Sequence, residues 1–356
     1  MYDTGSNLRN IIRAVIFVLL FVLIFVFLSK AFAAGSRPTE DGMESRISKA
    51  YRGEDKNSLD VIFVGNSDIY RALSPVDLYH STGIASAVAG EPNISIGKIS
   101  NNIRDILKYQ KPKAIVLDTD CLFSDWNSNF KKHRSAASSG KSEPTNKISA
   151  FFNKFKEKVK NIDSAIIAGI NFHFPLIKYH ESWKKVKLNY FVKHSRSFYK
   201  FSNKGMVYSN QVKPFSSSYD YMNDTSSKPP KLTAGQEFVF NEICNTCEDN
   251  NIRLILVTVP SAITWNTQKS DKIKELADKY GLKYYDYNRV YPEGFDWEKH
   301  TKDGGNHLNY GGALTVTDDL GSKLQQELKL KASDLTDKQK FQWDSDYKYF
   351  HEMITK

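Results

Sequence analysis

The sequence predicts an α/β protein: a three-layer α/β/α sandwich with a mostly parallel, doubly wound sheet, preceded by one transmembrane helix. The first observation is a set of short, nearly continuous apolar runs, typical of parallel strands covered by helices on both faces. The second is that segments with helical periodicity separate these runs. The third is one long apolar segment near the N-terminus. With 356 residues, 40% of them hydrophobic, the chain can bury a large core.

The N-terminal apolar segment is "AVIFVLLFVLIFVFLS", residues 14–29, which contains no charged residue. With its apolar flanks it reaches about 20 residues, the length that spans a bilayer as a helix. Arg9 and Arg13 precede it, so the positive-inside rule places the N-terminus in the cytoplasm and the remainder outside. A cleaved signal peptide is the alternative, because "AFA" at 31–33 fits the cleavage pattern. Both alternatives export the domain that follows, and the first predicts a single-pass protein of the cell membrane.

The apolar runs predict five strands, at residues 61–65, 84–90, 113–118, 252–259 and 282–287. Helical patterns lie between and after them, at residues 96–110, 233–251, 269–280 and 313–329. The second of these helices contains Cys244 and Cys247, and their setting favours packing over a metal or redox site. Ligand sites in such sheets lie at the carboxyl ends of the strands.

Two stretches interrupt the alternation of strands and helices. Residues 131–147 are rich in Ser and Lys, which predicts a surface loop. Residues 148–230 are long, aromatic and basic, which predicts an insertion or lid over the carboxyl edge of the sheet. His173 and His180 in this stretch have no accompanying carboxylate motif, so we expect them to be packing or surface residues.

The charge of the chain indicates which kinds of partner it suits. The formal net charge is +10, but the basic residues are scattered among 40 acids without a nucleic-acid-binding motif. This favours an anionic surface or polymer as partner and disfavours nucleic acid.

The expected organisation is a cytoplasmic tip and anchor (or signal peptide) at 1–35, a juxtamembrane segment at 36–57, one domain at 58–330 with an insertion at about 125–230, and a C-terminal tail at 331–356.

Ser67 follows the first predicted strand, within "GNSD". A helix that begins there points its amide groups and dipole toward the serine, which favours a nucleophilic oxygen. His307 and Asp303 lie near the other end of the domain, in "KDGGNHLNYGGA", residues 302–313. Serine, histidine and aspartate can therefore meet at one edge of the sheet, as nucleophilic acyl transfer requires.

These residues resemble the SGNH (GDSL-like) hydrolase family. Gly65, Asn66 and Ser67 are similar to its first block, in which the serine is the nucleophile. "AVAGEP" is similar to the second block, so the resemblance implies that Gly90 lends a backbone amide to the oxyanion hole beside that of Ser67. "DGGNHLNYGGA" is similar to the last block, whose aspartate and histidine complete the triad. More narrowly, residues 58–330 resemble a membrane-anchored branch in Gram-positive bacteria, related to the D-alanine transfer protein of teichoic acid modification.

The last block departs from the family pattern. The family places its aspartate three residues before the histidine, where this chain has Gly304, and Asp303 stands four residues before His307. An extra glycine in a flexible loop can absorb the shift. Asp286 and Asp296 remain as alternative orienting acids.

The oxyanion hole departs from the pattern as well. The asparagine that commonly donates to the oxyanion is not evident after the third predicted strand, where Asp118 and Asp120 stand. A carboxylate there repels an oxyanion unless it is protonated. We predict Gly90, Asn66 and Asp120 as the oxyanion-binding or substrate-binding residues, with no metal and no cofactor.

The resemblance implies an extracytoplasmic serine esterase or O-acyltransferase that acts through an acyl-enzyme on a cell-envelope polysaccharide or teichoic-type polymer. The alternative is a catalytically degenerate protein that binds such a polymer or a membrane-bound O-acyltransferase partner, which the two departures keep open. A nucleotide-binding domain is disfavoured, because no glycine-rich phosphate loop follows the first strand.

Overall fold

The computed structural model describes residues 4–35, 46–123, 199–216, 220–223, 231–327 and 329–355. The N-terminal helix and the α/β domain belong to two separate compact units. The predicted surface loop at 131–147, His173, His180 and most of the predicted insertion lie outside the described residues.

The N-terminal unit contributes one described helix, α1 (Thr4–Gly35). Its large apolar side chains between Ile11 and Ile24 are exposed, with exposed fractions of 49% to 69%. In the described part of the chain, no helix combines the length and the apolar character needed to cross a membrane. The single-pass anchor expected from the sequence is therefore not supported by the structure.

The α/β domain is built on one sheet of five strands: β1 (Val61–Gly65), β2 (Ser86–Gly90), β3 (Ala114–Asp118), β4 (Arg253–Thr258) and β5 (Lys283–Asp286). Their order is β2-β1-β3-β4-β5, and all neighbouring strands are parallel. Every residue of β1, β2 and β3 is buried, because helices cover both faces, and this explains the continuous apolar runs. The predicted α/β class with a parallel sheet flanked by helices is confirmed.

The described helices of this domain are α2 (Ser67–Ala72), α3 (Pro75–Thr82), α4 (Ile96–Ile106), α5 (Ala234–Asp249), α6 (Thr267–Tyr280), α7 (Tyr310–Gln326) and α8 (Asp337–Ile354). Short 3-10 turns lie at Ile47–Arg52, Asp120–Leu122 and Tyr221–Asn223. Side-chain caps begin several of these helices, including the Thr233 capping box of α5. Cys247 is buried on α5 and Cys244 is partly buried, both as free thiols.

The core has two parts because side chains alternate across the sheet. Ile62 and Val64 of β1 face one part, which α4, α5 and α6 cover. Val61 and Phe63 face the other part, which α2, α3 and α7 cover. The result is the three-layer arrangement that the sequence predicts.

The C-terminal segment is a correction to the predicted layout. Residues 331–356 were expected to form a tail, but they contain α8, which begins at the Thr336 capping box. Trp343 and Phe350 of this helix are 2% and 0% exposed and belong to the main core. The domain therefore includes this helix.

Candidate active site

Ser67 lies at the carboxyl edge of the sheet, where β1 and β3 are neighbours. This is the point at which the strand order reverses, and sheets of this type form a crevice there. The side chain of Asn66 caps α2, because its Oδ1 accepts the backbone N–H of Asp68 at 2.8 Å. Ser67 thus takes the first position of α2.

Two glycines are closely packed against this turn. A Cβ on Gly65 would lie 2.4 Å from Cβ of Asp118, so a side chain there would separate the ends of β1 and β3. Gly90 pairs with Gly65 across the sheet, and a Cβ on it would lie 3.0 Å from Cβ of Tyr70 and 3.2 Å from the carbonyl oxygen of Asn66. Gly90 is therefore packed against the turn that carries Ser67, and its role as an oxyanion donor stays a prediction.

The structure brings Ser67, His307 and Asp303 together in one chain of hydrogen bonds. Oγ of Ser67 lies 2.9 Å from Nε2 of His307, and Nδ1 of His307 lies 2.6 Å from Oδ2 of Asp303. The other oxygen of Asp303 accepts the backbone N–H of His307 at 2.7 Å. An ionised carboxylate only accepts hydrogen bonds, so Nδ1 carries the proton and Nε2 accepts the hydroxyl of Ser67.

The loop before α7 explains how an acid four residues before His307 reaches its ring. Gly304 and Gly305 have φ angles of +77° and +95°, in the left-handed region that favours glycine. Oγ1 of Thr301 accepts the N–H of Gly305 at 2.7 Å, which fixes the turn. The additional glycine therefore absorbs the shifted spacing and leaves Asp303 on the imidazole.

The two alternative acids lie elsewhere. Asp286 accepts hydrogen bonds from the hydroxyl of Ser270 and, at 2.9 Å, from the backbone N–H of Asn288. Asp296 pairs with Lys299 at 2.8 Å. In the described part of the chain, neither carboxylate contacts His307. The geometry therefore favours Asp303 as the orienting acid.

The protonation states at the site suit a serine–histidine pair. Burial lowers the pKa of His307, the hydrogen bond and charge of Asp303 raise it, and the cations Arg71 and Lys302 lower it further, so that the net pKa lies below the usual value. Burial alone would raise the pKa of Asp303, but hydrogen bonds from the side chain and backbone of His307 lower it overall. At neutral pH the imidazole is thus a neutral base next to an ionised acid.

A cluster of three carboxyl groups lies beside the turn that carries Ser67. Burial and, to a smaller extent, the charge of Asp120 raise the pKa of Asp118 to about 8. Burial likewise raises the pKa of Asp68 well above its usual value, and its Oδ1 lies 4.0 Å from Nε2 of His307. Asp120 pairs with the ammonium of Lys269 at 3.1 Å. Burial therefore favours the protonated forms of Asp118 and Asp68, and the charge of Asp120 is balanced by a cation.

Asn66 and Asp120, predicted from the sequence as oxyanion or substrate contacts, bind each other. Nδ2 of Asn66 donates to Oδ2 of Asp120 at 2.9 Å. Because Oδ1 of Asn66 also caps α2, both ends of its amide are used to hold the turn. The contacts make Asn66 a positioning residue for Ser67.

Sequence reasoning missed two cations at the site. Lys269 lies 149 residues from Asp120 along the chain, so no local pattern reveals their pairing. Arg71 follows Ser67 by four residues, a spacing that places two side chains on one face of a helix and was available as a signal. In the described residues, no group of three histidine, cysteine or carboxylate side chains could hold a metal ion.

Part of the predicted insertion is described beside the site. The backbone N–H of Val207 donates to the carbonyl of Tyr70 at 2.8 Å, and that of Lys213 donates to the carbonyl of Thr301 at 2.9 Å. Residues 199–216 therefore run from α2 to the loop that carries the predicted acid and base.

Comparisons with known proteins give weak likenesses. No family model matches the sequence, and no curated protein matches it significantly. One similar solved structure is a candidate acylhydrolase from Bacteroides fragilis NCTC 9343, with a TM-score of 0.37, 11% identity, and coverage of 82% of this chain and 100% of that one. Another is a GDSL-like lipase from Bacteroides thetaiotaomicron VPI-5482, with a TM-score of 0.34, 11% identity, and coverage of 80% and 98%. At this level neither structure decides the activity of this chain, and neither supports the narrower Gram-positive branch.

Proposed function

We propose that the protein is a serine esterase or O-acyltransferase that acts through an acyl-enzyme on Ser67. The observation that carries this proposal is the continuous chain of hydrogen bonds from Ser67 through His307 to Asp303. Such a chain supplies a nucleophile, a base and an orienting acid in the relation that acyl transfer requires.

In the proposed reaction, Nε2 of His307 removes the hydroxyl proton as Oγ of Ser67 attacks the ester carbonyl carbon. Asp303 stabilises the imidazolium that forms. The tetrahedral intermediate then collapses: the bond to the alkoxy oxygen breaks, and His307 returns its proton to the departing alcohol. A second hydroxyl, from water or from a sugar, attacks the acyl-serine while His307 again accepts the proton. The bond between the acyl carbon and Oγ then breaks, and His307 returns the proton to Oγ, which regenerates Ser67.

The oxyanion in this proposal is held by the backbone amides of Ser67 and Gly90. The raised pKa values of Asp68 and Asp118, caused mainly by burial, support this arrangement, because protonated carboxyls do not repel a developing negative charge. The pairing of Asp120 with Lys269 removes the third source of repulsion. The missing asparagine therefore does not preclude catalysis.

We further propose an extracytoplasmic place and an envelope polymer as substrate. The net charge of +10 suits an anionic or sugar-rich polymer of the polysaccharide or teichoic type. The exposed apolar side chains of α1 suit attachment to a membrane, where a membrane-bound O-acyltransferase can serve as the partner. Water as the second acceptor makes the protein an esterase, and a polymer hydroxyl makes it a transferase.

The test is covalent labelling with a fluorophosphonate probe together with turnover of 4-nitrophenyl acetate. We expect the wild-type protein to be labelled, and Ser67→Ala to be unlabelled and slower by a factor of about 10³ or more. Ser345→Ala, a partly exposed serine on α8, is the matched control and should behave as wild type. A folded wild-type protein that neither reacts with the probe nor turns over the ester would instead favour the polymer-binding alternative.

A further inference from the structure

Arg71 lies on α2 four residues after Ser67, so their side chains lie one helical turn apart on the same face. Side chains of a helix lean toward its N-terminus, which directs the guanidinium toward the end that carries Ser67. After the larger effect of burial, the charge of Arg71 contributes to lowering the pKa of His307. The guanidinium is therefore close enough to the reacting groups to act on them electrostatically.

The side chain of Arg71 has no anionic partner in the described part of the chain. The residue is 9% exposed, and its Nε is buried without a hydrogen-bond acceptor among the described residues. Its Cζ lies 5.5 Å from the centroid of the Tyr70 ring, a cation–π contact with the residue before it that brings no negative charge. A buried cation without an anion is unfavourable, because it has lost water without gaining a partner.

Lys204, the other buried cation among the described residues of the domain, shows the contrast. Lys204 is fully buried, and its ammonium contacts Oε1 of Glu54 at 2.8 Å and Oδ2 of Asp346 at 2.5 Å. Its charge is therefore balanced within the protein. Among the described residues, the charge of Arg71 has no such balance.

We propose that Arg71 binds an anionic group of the substrate, a carboxylate, phosphate or sulfate beside the scissile ester, and so selects charged over neutral esters. This inference rests on the proposed function of the same site. The planar fork of a guanidinium binds such groups through two parallel N–H···O bonds. In this proposal Arg71 acts through its charge and its hydrogen bonds, so the bond changes at Ser67 are unaltered.

The experiment uses two pairs of esters that differ within each pair by one charge. 4-Acetoxybenzoate and its methyl ester differ on the leaving alcohol, whereas mono(4-nitrophenyl) adipate and 4-nitrophenyl hexanoate differ on the acyl chain. After correction for uncatalysed rates, the wild-type protein should prefer the anionic ester of at least one pair by about 10- to 100-fold in kcat/KM, the range for a hydrogen bond between charged groups.

The variant Arg71→Met keeps an apolar stem and removes the charge. It should lose about 10- to 100-fold in kcat/KM for the preferred anionic ester and less than about threefold for its neutral partner. Arg71→Lys retains the charge without the fork and should fall between the two. The acidic midpoint of the pH profile should rise in Arg71→Met, since His307 loses a neighbouring cation. Arg104→Met, a half-exposed arginine on α4, is the control and should change neither ester.

Absence of a charge preference in the wild type for both pairs would overturn the proposal. So would equal losses for charged and neutral esters in Arg71→Met, since Arg71 would then serve the shared transition state or the fold. Calorimetry on Ser67→Ala and on the double variant Ser67→Ala/Arg71→Met measures binding of each anionic ester without turnover. Kd for the preferred ester should be about tenfold or more higher in the double variant. If the wild-type protein shows neither labelling nor turnover, the proposed function is refuted. If it is active but binds charged and neutral esters equally well, only the role of Arg71 is refuted.

Discussion

His307 is the residue on which the proposed chemistry depends, because it must be neutral to accept the serine proton. Burial lowers the pKa of the imidazole, Asp303 raises it, and Arg71 and Lys302 lower it further, while the carboxyl of Asp68 stands 4.0 Å away. The net shift is downward from the usual value of about 6.5.

The first prediction at this scale is the pH dependence. A lowered pKa keeps the imidazole neutral to lower pH, so kcat/KM should fall with acidification at a midpoint below about 6.5. A rate profile of 4-nitrophenyl acetate turnover between pH 4 and 8, after a check that the fold persists, measures it. A midpoint above the usual histidine value would contradict the assignment of His307 as the base.

The second prediction concerns Asp303, which fixes the tautomer of His307 and stabilises its charged form. Asp303→Asn should lower kcat by about 10²- to 10⁴-fold and leave KM little changed. Asp286→Asn and Asp296→Asn should each cost less than about tenfold, because neither carboxylate contacts the imidazole. If one of these two proves sensitive while Asp303→Asn stays near wild type, Asp303 is not the orienting acid.

At the scale of elements, α8 shows how the C-terminal helix stabilises the domain. Asp346 on this helix and Glu54 near the start of the domain both bind the buried ammonium of Lys204. The ammonium also lies 4.7 Å from the ring centroid of Trp343. One residue therefore joins three distant parts of the chain.

Removal of that ammonium should be costly, because it leaves two carboxylates together without a cation. Lys204→Met is expected to lower the free energy of unfolding by about 3–5 kcal/mol, measured by urea denaturation. Lys272→Met, which removes a partly exposed lysine paired with Glu275 on α6, should change it by less than about 0.5 kcal/mol. A loss below about 1 kcal/mol for Lys204→Met would mean that the pairs contribute little.

The elements differ in how far the sequence could predict them. The strands were predictable because both faces of the sheet are buried, so each strand reads as an apolar run. The helix α8 was not, because its buried residues are few and separated by charged ones, although the Thr336 capping box marks its start. The orienting acid was left open among three aspartates, because the left-handed geometry of Gly304 and Gly305 that decides it is not visible in residue spacing alone.

At the scale of the whole molecule, the proposed membrane attachment of α1 makes a prediction about topology. A tag at the C-terminus should be cleaved by external protease in intact cells, because the domain is proposed to lie outside the membrane. The measurement is immunoblotting after protease treatment, with lysed cells as the control for access. A mature chain that begins near Ala34 would show that the segment is a cleaved signal peptide instead.

The order of the triad along the chain has a consequence for biosynthesis. Ser67 and His307 are 240 residues apart, and β3 pairs with β4 only after a long excursion of the chain. The serine is thus synthesised early, whereas its base arrives with the last part of the domain. Contacts so distant in sequence form slowly during folding. In the proposed mechanism, a newly made chain therefore carries an inert serine through synthesis, and it gains a nucleophile only when the last loop has folded against the first strand.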